Sequence, residues 1–201
     1  MLYPHASKTR TVVDLSGIWN IKFDFKNEGR KKKWFRGVPA DREVAVPSSY
    51  NDLYTELDIH NHMGAVWYSR EFLVPAEWQG KAVHLRFDSA TYRAQVWVNG
   101  QLMGGHEGGY TPFVFDITAV ARFGEQNLVV VYLDYLLDEN TIPQGNLSPS
   151  LGGYAAWHSN TRPNVPFDFY PYGGLHRPVK IYCTEKSYVD DLTVKIGRAH
   201  V

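Results

Sequence analysis

Between Ala94 and Thr118 the chain spells out a hairpin and the corner that follows it. Ala94, Val96 and Val98 alternate with Gln95 and Trp97, the period-two pattern of a strand with one face turned to a core. Asn99-Gly100 comes next, a pair that tolerates the positive φ angles of a two-residue turn between antiparallel strands. His106-Glu107-Gly108-Gly109-Tyr110-Thr111-Pro112-Phe113 then forms a second corner, leading into Val114-Phe115-Asp116-Ile117-Thr118. Two adjacent glycines give this corner its backbone freedom. A chain whose best-defined stretch closes by local antiparallel pairing is committed to β structure there.

The same signal recurs. Trp19, Ile21, Phe23 and Phe25 alternate with Asn20, Lys22 and Asp24, and Val83, Leu85 and Phe87 with His84, Arg86 and Asp88. Val66-Trp67-Tyr68 and Phe72-Leu73-Val74 flank a polar centre at Ser69-Arg70-Glu71, and Val179, Ile181 and Cys183 close the series. Leu128-Val129-Val130-Val131-Tyr132-Leu133 is a continuous apolar run, which predicts a strand covered on both faces. No stretch of useful length spaces its apolar residues as a helix would. Many short strands joined by Gly- and Pro-bearing turns predict an all-β sandwich or barrel.

Two regions break the pattern. Gly29-Arg30-Lys31-Lys32-Lys33 is a charge run, expected to be a solvated loop. From about Asp138 to Leu175 five prolines are interspersed with glycines and with Tyr154, Trp157, Phe167, Phe169, Tyr170 and Tyr172. An excursion of this length inside a compact domain is usually functional or disordered, and its aromatic content argues against disorder.

The 201 residues suffice for one domain with a substantial core. Lysines plus arginines and acidic residues both number 21, so no net charge favours nucleic acid or an anionic membrane as a partner. No apolar run reaches bilayer-spanning length, and the first residues lack a signal-peptide core. Cys183 is the single cysteine, which excludes an internal disulfide. These features lead to the expectation of a cytoplasmic protein.

Side chains able to carry chemistry are few. Aromatics near hydroxyls and carboxylates suit sugars, because rings cover the C–H faces while polar groups take the hydroxyls. Trp97, Tyr110 and Phe113 fit that role, with core or interdomain packing an equal claim. Glu107 is expected to satisfy backbone N–H groups at the glycine corner, and Arg177 to make an ion pair or a fork to backbone carbonyls. Read locally, Asp168 is a turn-capping carboxylate in the Pro/Gly-rich stretch. His60 and His62 lack a third ligand at metal spacing, so no metal is expected. Phosphate-loop, HExxH and serine-elbow motifs are absent, and Asn146-Leu147-Ser148 is read as a chance glycosylation match.

The ordered set of motifs resembles one family. Asp14-Leu15-Ser16-Gly17-Ile18-Trp19, Val46-Pro47-Ser48-Ser49-Tyr50-Asn51-Asp52, Val66-Trp67-Tyr68-Ser69-Arg70, Val96-Trp97-Val98-Asn99-Gly100 and the glycine corner are similar to the sugar-binding domain of the β-galactosidase/β-glucuronidase glycoside hydrolases (family 2). Thr141-Ile142-Pro143-Gln144-Gly145 and Asp168-Phe169-Tyr170-Pro171-Tyr172-Gly173-Gly174-Leu175-His176-Arg177 lean towards β-glucuronidases. The match covers about residues 2–195, and its specificity lies in the full set.

The resemblance implies a jelly-roll β-sandwich, galactose-binding-domain-like, over about residues 1–183. A linker and the first strand of an immunoglobulin-like domain would occupy 184–195. Residues 196–201 back-translate into a common sequencing adapter and are expected to be a non-native tail. The family's two catalytic glutamates lie in a (β/α)₈ barrel further along, so the fragment alone is expected to be inactive. Asn27-Glu28 mimics the acid/base dipeptide but sits in a charged turn.

By the same resemblance Asp168 projects towards the barrel and binds hydroxyls of a β-glucuronoside, as a carboxylate can through two charge-assisted hydrogen bonds. No cofactor is implied, the substrate is held jointly with the missing barrel, and the complete enzyme is expected to be a homo-oligomer. The alternatives are a β-galactosidase or β-mannosidase of the same family, or a free-standing carbohydrate-binding module.

Overall fold

The computed structural model describes residues 3–145 and 172–197. Within them the chain forms β1 (Thr11–Asp14), β2 (Gly17–Phe23), β3 (Arg42–Val46), β4 (Ala65–Leu73), β5 (Ala82–Phe87), β6 (Arg93–Val98), β7 (Gln101–Glu107), β8 (Phe113–Asp116), β9 (Gln126–Asp134) and β10 (Val179–Thr184). All pair antiparallel. One sheet has the order β1-β10-β5-β8 and the other β3-β2-β4-β9-β6-β7. The two lie face to face as a sandwich.

Alternation sets which side chains meet between the sheets. Val66, Tyr68 and Phe72 of β4, Val129, Val131 and Leu133 of β9, and Ala94, Val96 and Val98 of β6 face Val83, Leu85 and Phe87 of β5 and Val179, Ile181 and Cys183 of β10. The apolar run in β9 is covered on both sides, as expected. Its even-numbered residues Val130 and Tyr132 join Trp34, Trp67 and Trp97 in a second buried cluster on the outer face of the larger sheet.

The charge run belongs to the cover of that second cluster. Lys31, Lys32 and Lys33 are exposed, whereas Gly29 and Trp34 are buried and the Arg30 guanidinium stands 4.4 Å above the Tyr132 ring. The lysines are therefore the solvated side of a segment anchored by its neighbours. At Asn99-Gly100 the φ angles are 51° and 78°, and Val98 pairs directly with Gln101, as the two-residue turn requires.

Two single-turn helices interrupt the β pattern, α1 (Tyr50–Leu53) and α2 (Leu57–His60). The side chain of Ser49 accepts from the Asn51 backbone N–H at the start of α1, an N-cap bond. His60 and His62 do not share a strand face. His60 ends α2, while the His62 ring sits among Phe23, Phe25 and Tyr50.

Residues 185–197 carry no strand. The strand anticipated from Tyr188 has no partner ladder within the described residues. Asp168, the aromatic run from Tyr154 to Tyr170, Asn146 and residues 198–201 lie outside the described residues.

Candidate functional site

The segment leading away from β9 and the one returning to β10 border residues 146–171, and both pack at one end of the sandwich. On the outgoing side, Arg93 at the start of β6 is the hub. Its Nε donates to Glu107 Oε1 at 3.2 Å, Nη1 to the Leu136 carbonyl at 3.2 Å and Nη2 to Asp138 Oδ2 at 3.0 Å. One guanidinium thus ties β6 and β7 to the chain just past β9. The Ile142 N–H donates to the Tyr92 hydroxyl at 2.8 Å, and Gly145 N–H returns to the Asp138 carbonyl at 2.9 Å.

On the returning side Gly173 is gripped by α1. Its N–H donates to Asn51 Oδ1 at 2.8 Å and its carbonyl accepts from Ser49 Oγ at 2.9 Å. The Asn51 amide in turn donates to the His60 carbonyl at 2.6 Å. A Cβ at Gly173 would lie 2.8 Å from the Tyr50 hydroxyl and 2.9 Å from the Tyr135 ring, so only glycine fits. Gly174, at φ +107°, would bring a Cβ to 2.7 Å from the Tyr68 hydroxyl. Thr91 N–H donates to the Gly174 carbonyl at 3.1 Å and Ser48 N–H to that of Leu175 at 3.0 Å. The Val46–Asp52 motif is thereby explained as the clamp that receives the returning chain.

The glycine corner closes the same end. Arg177 Nη1 donates to the Tyr110 carbonyl at 3.0 Å, so Arg177 bonds a backbone carbonyl, as expected. The Thr91 hydroxyl lies 3.2 Å from His176 Nδ1 and donates to the Gly109 carbonyl at 3.3 Å. His106 stacks on Phe113 with ring centres 4.3 Å apart, and burial lowers its pKa below the ordinary imidazole value.

Glu107 departs from expectation: its carboxylate meets the Arg93 side chain instead of backbone N–H groups. Trp97 and Phe113 are buried in the two apolar clusters, which leaves Tyr110, partly exposed, as the ring of the three that ligand could meet. Arg93, Asn51 and Ser49 were missed by sequence reasoning. Arg93, the first residue of β6, gave no local signal, since its partner Glu107 is set by the register of the β6–β7 pairing.

Among the described residues this end is a frame. Most of its polar groups are already spent on backbone or on each other, which fixes the borders of the excursion. Asp168 lies outside the described residues, five positions before the clamped Gly173.

Comparison with known proteins follows the same line. The sequence profile described as "Glycosyl hydrolases family 2, sugar binding domain" matches residues 12–185. The chain is 38% identical over 200 residues to a β-glucuronidase of Paenibacillus borealis, covering 96% of this chain and 33% of that protein. It is 35% identical over 209 residues to that of Canis lupus familiaris, covering 98% and 32%.

Among solved structures, a β-glucuronidase from an uncultured Clostridium superposes with a TM-score of 0.81 at 37% identity, covering 92% of this chain and 31% of that one. Ruminococcus gnavus β-glucuronidase in complex with D-glucuronic acid gives 0.81 at 36% identity, with the same coverage. The chain spans about a third of the length of the curated relatives it matches. It therefore belongs to family 2 of the glycosyl hydrolases, as a sugar-binding domain of the β-glucuronidase kind.

Proposed function

We propose that this chain is the non-catalytic arm of a retaining enzyme that hydrolyses terminal β-glucuronosides, and that Asp168 hydrogen-bonds the sugar in a cleft completed by a barrel domain. The observation that supports this most is the frame itself. Both borders of the excursion pack on the residues just after β9, Gly145 against Leu137 and Gly173 against Tyr135, so its base is held at one end of the sandwich. A rigid scaffold that presents a loop is the usual way binding groups are positioned. The residues from 185 onward would then lead into the next domain, and the complete enzyme would be a homo-oligomer.

Retaining hydrolysis needs two carboxyl groups about 5–5.5 Å apart across the scissile bond, and in this reading the missing barrel supplies both. The sandwich contributes binding. A carboxylate accepting two hydroxyl donors strengthens contacts to a sugar ring without taking part in bond cleavage.

The test is Asp168→Asn in the enzyme comprising this chain and its barrel. With 4-nitrophenyl β-D-glucuronide, kcat/KM should fall by about 1.5–3 kcal/mol in transition-state terms. Unchanged kinetics would falsify the role of Asp168. Faster turnover of the β-galactoside or β-mannoside by the parent enzyme would overturn the substrate.

A further inference from the structure

The outer face of the larger sheet carries a cleft of about 390 Å³, lined by Arg30, Arg93, Gln95, Gly105, Tyr132 and Asp134 together with Ala94, His106 and Glu107. That volume falls in the lower part of the range of roughly 300–1,000 Å³ for small-molecule sites. The hollow has a sequence cause. Gln95 pairs with Gly105 across β6 and β7, and the missing side chain at Gly105 leaves the floor low between Gln95 and Glu107. Arg30, carried in from the covering segment, forms one wall over the Tyr132 ring.

Three groups here keep hydrogen-bonding capacity to spare, although the Arg30 guanidinium sits against Tyr132 and the Asp134 carboxylate against the Leu136 backbone. Among the described residues no carboxylate lies within ion-pair distance of Arg30, although Asp134 lines the same cleft. Among the described residues Asp134 is likewise in no side-chain ion pair, and partial burial raises its pKa above the ordinary carboxylate value. The Gln95 amide, which has both a donor and an acceptor end, has no hydrogen bond to another described side chain. A guanidinium and a carboxylate that share a cleft without touching suit a group that accepts from one and donates to the other. A hydroxyl does both.

Charge narrows the choice. The two arginines in the lining are matched by Glu107 and Asp134, so an anionic ligand would gain from one pair what it lost to the other.

We propose that this cleft binds a neutral saccharide unit, its hydroxyls bridging Arg30, Gln95 and Asp134 over the floor left by Gly105. The site does not rest on the role of Asp168. Glucuronide kinetics and ligand binding at this face are read out separately.

The experiment is a resonance titration of the isotope-labelled chain with three neutral tetrasaccharides (cellotetraose, maltotetraose and mannotetraose) and with trigalacturonic acid as the acidic probe. At least one neutral probe should shift the amides of Ala94, Gln95, Gly105 and Tyr132 at millimolar concentration. Arg30→Gln and Gln95→Ala are surface changes whose folding is checked by the unshifted remainder of the spectrum. Each should weaken that binding about tenfold, the equivalent of one hydrogen bond to a charged or amide group. Three results would overturn the proposal: no neutral probe shifting these amides, binding unaltered in both variants, or trigalacturonate binding more tightly than every neutral probe.

Discussion

Asp88 holds two buried cations on the outer face of the smaller sheet. Arg86 Nε donates to its Oδ1 at 2.6 Å and Lys180 Nζ lies 3.7 Å from Oδ2, all three side chains being largely shielded from water. Lys180 Nζ also lies 4.6 Å from the Tyr3 ring centre. Removing the carboxylate takes a charged partner from each of two desolvated cations, so Asp88→Ala should cost about 3 kcal/mol of stability in urea unfolding. A second prediction concerns His62, whose pKa burial pushes below the ordinary 6.5, its Nε2 held 3.0 Å from the Ala65 carbonyl. The unfolded chain binds a proton there before the folded one does, so stability is full above the unfolded pKa and falls as pH drops through it. Burial lowers His84 in the same direction. Unfolding free energy should therefore decline from about pH 7 to 5, and His62→Gln should flatten that decline. An identical slope in the variant would show that His62 is not a source of it.

At the scale of elements, the segment across the outer face shows what sequence patterns reveal and what they hide. Asp24 clamps its start, accepting from Glu28 N–H at 2.9 Å, Gly29 N–H at 2.8 Å and Trp67 Nε1 at 3.1 Å. A Cβ at Gly29 would meet Trp67 Nε1 at 2.5 Å and the Trp34 ring at 2.6 Å. Gly29→Ala should cost about 1–3 kcal/mol by overpacking and alter the near-UV dichroism of the tryptophans, with the far-UV spectrum kept. Alternation made the strands legible because its period is the period of the sheet. The three lysines read correctly as solvated, but no sequence pattern marks Gly29 as a contact point, since one of its neighbours, Trp67, arrives from β4. The hairpin was legible down to its turn, yet an irregularity between Val96 and Trp97 shifts the register so that Arg93 faces Glu107. A regular ladder from Asn99-Gly100 would set Arg93 opposite His106. One extra residue in a strand leaves no signature in composition, which is why the Arg93 hub was missed. The clamp on Gly173 was hidden for a related reason: Asn51 lies 122 residues away in sequence, and only the closed sandwich brings them together.

For the molecule as a whole, the order of strands in the smaller sheet makes its interior depend on β10, far in sequence from the strands it joins. β10 lies between β1 and β5, every residue from Val179 to Thr184 is buried, and Val179, Ile181 and Cys183 face the core. A chain ending before Val179 would leave β1 and β5 without the neighbour each pairs with, exposing two rows of backbone donors and acceptors and the apolar face of β5. Residues 186–197 make no ladder and are mostly exposed, with Tyr188 against His84, ring centres 5.5 Å apart, as a local contact. Truncation should therefore have a sharp threshold. A chain cut after Lys186 should unfold cooperatively and lose no more than about 1 kcal/mol, whereas one cut after Arg177 should give no cooperative urea transition. Equal transitions in the two truncations would mean that β10 is dispensable and that the smaller sheet closes by another route.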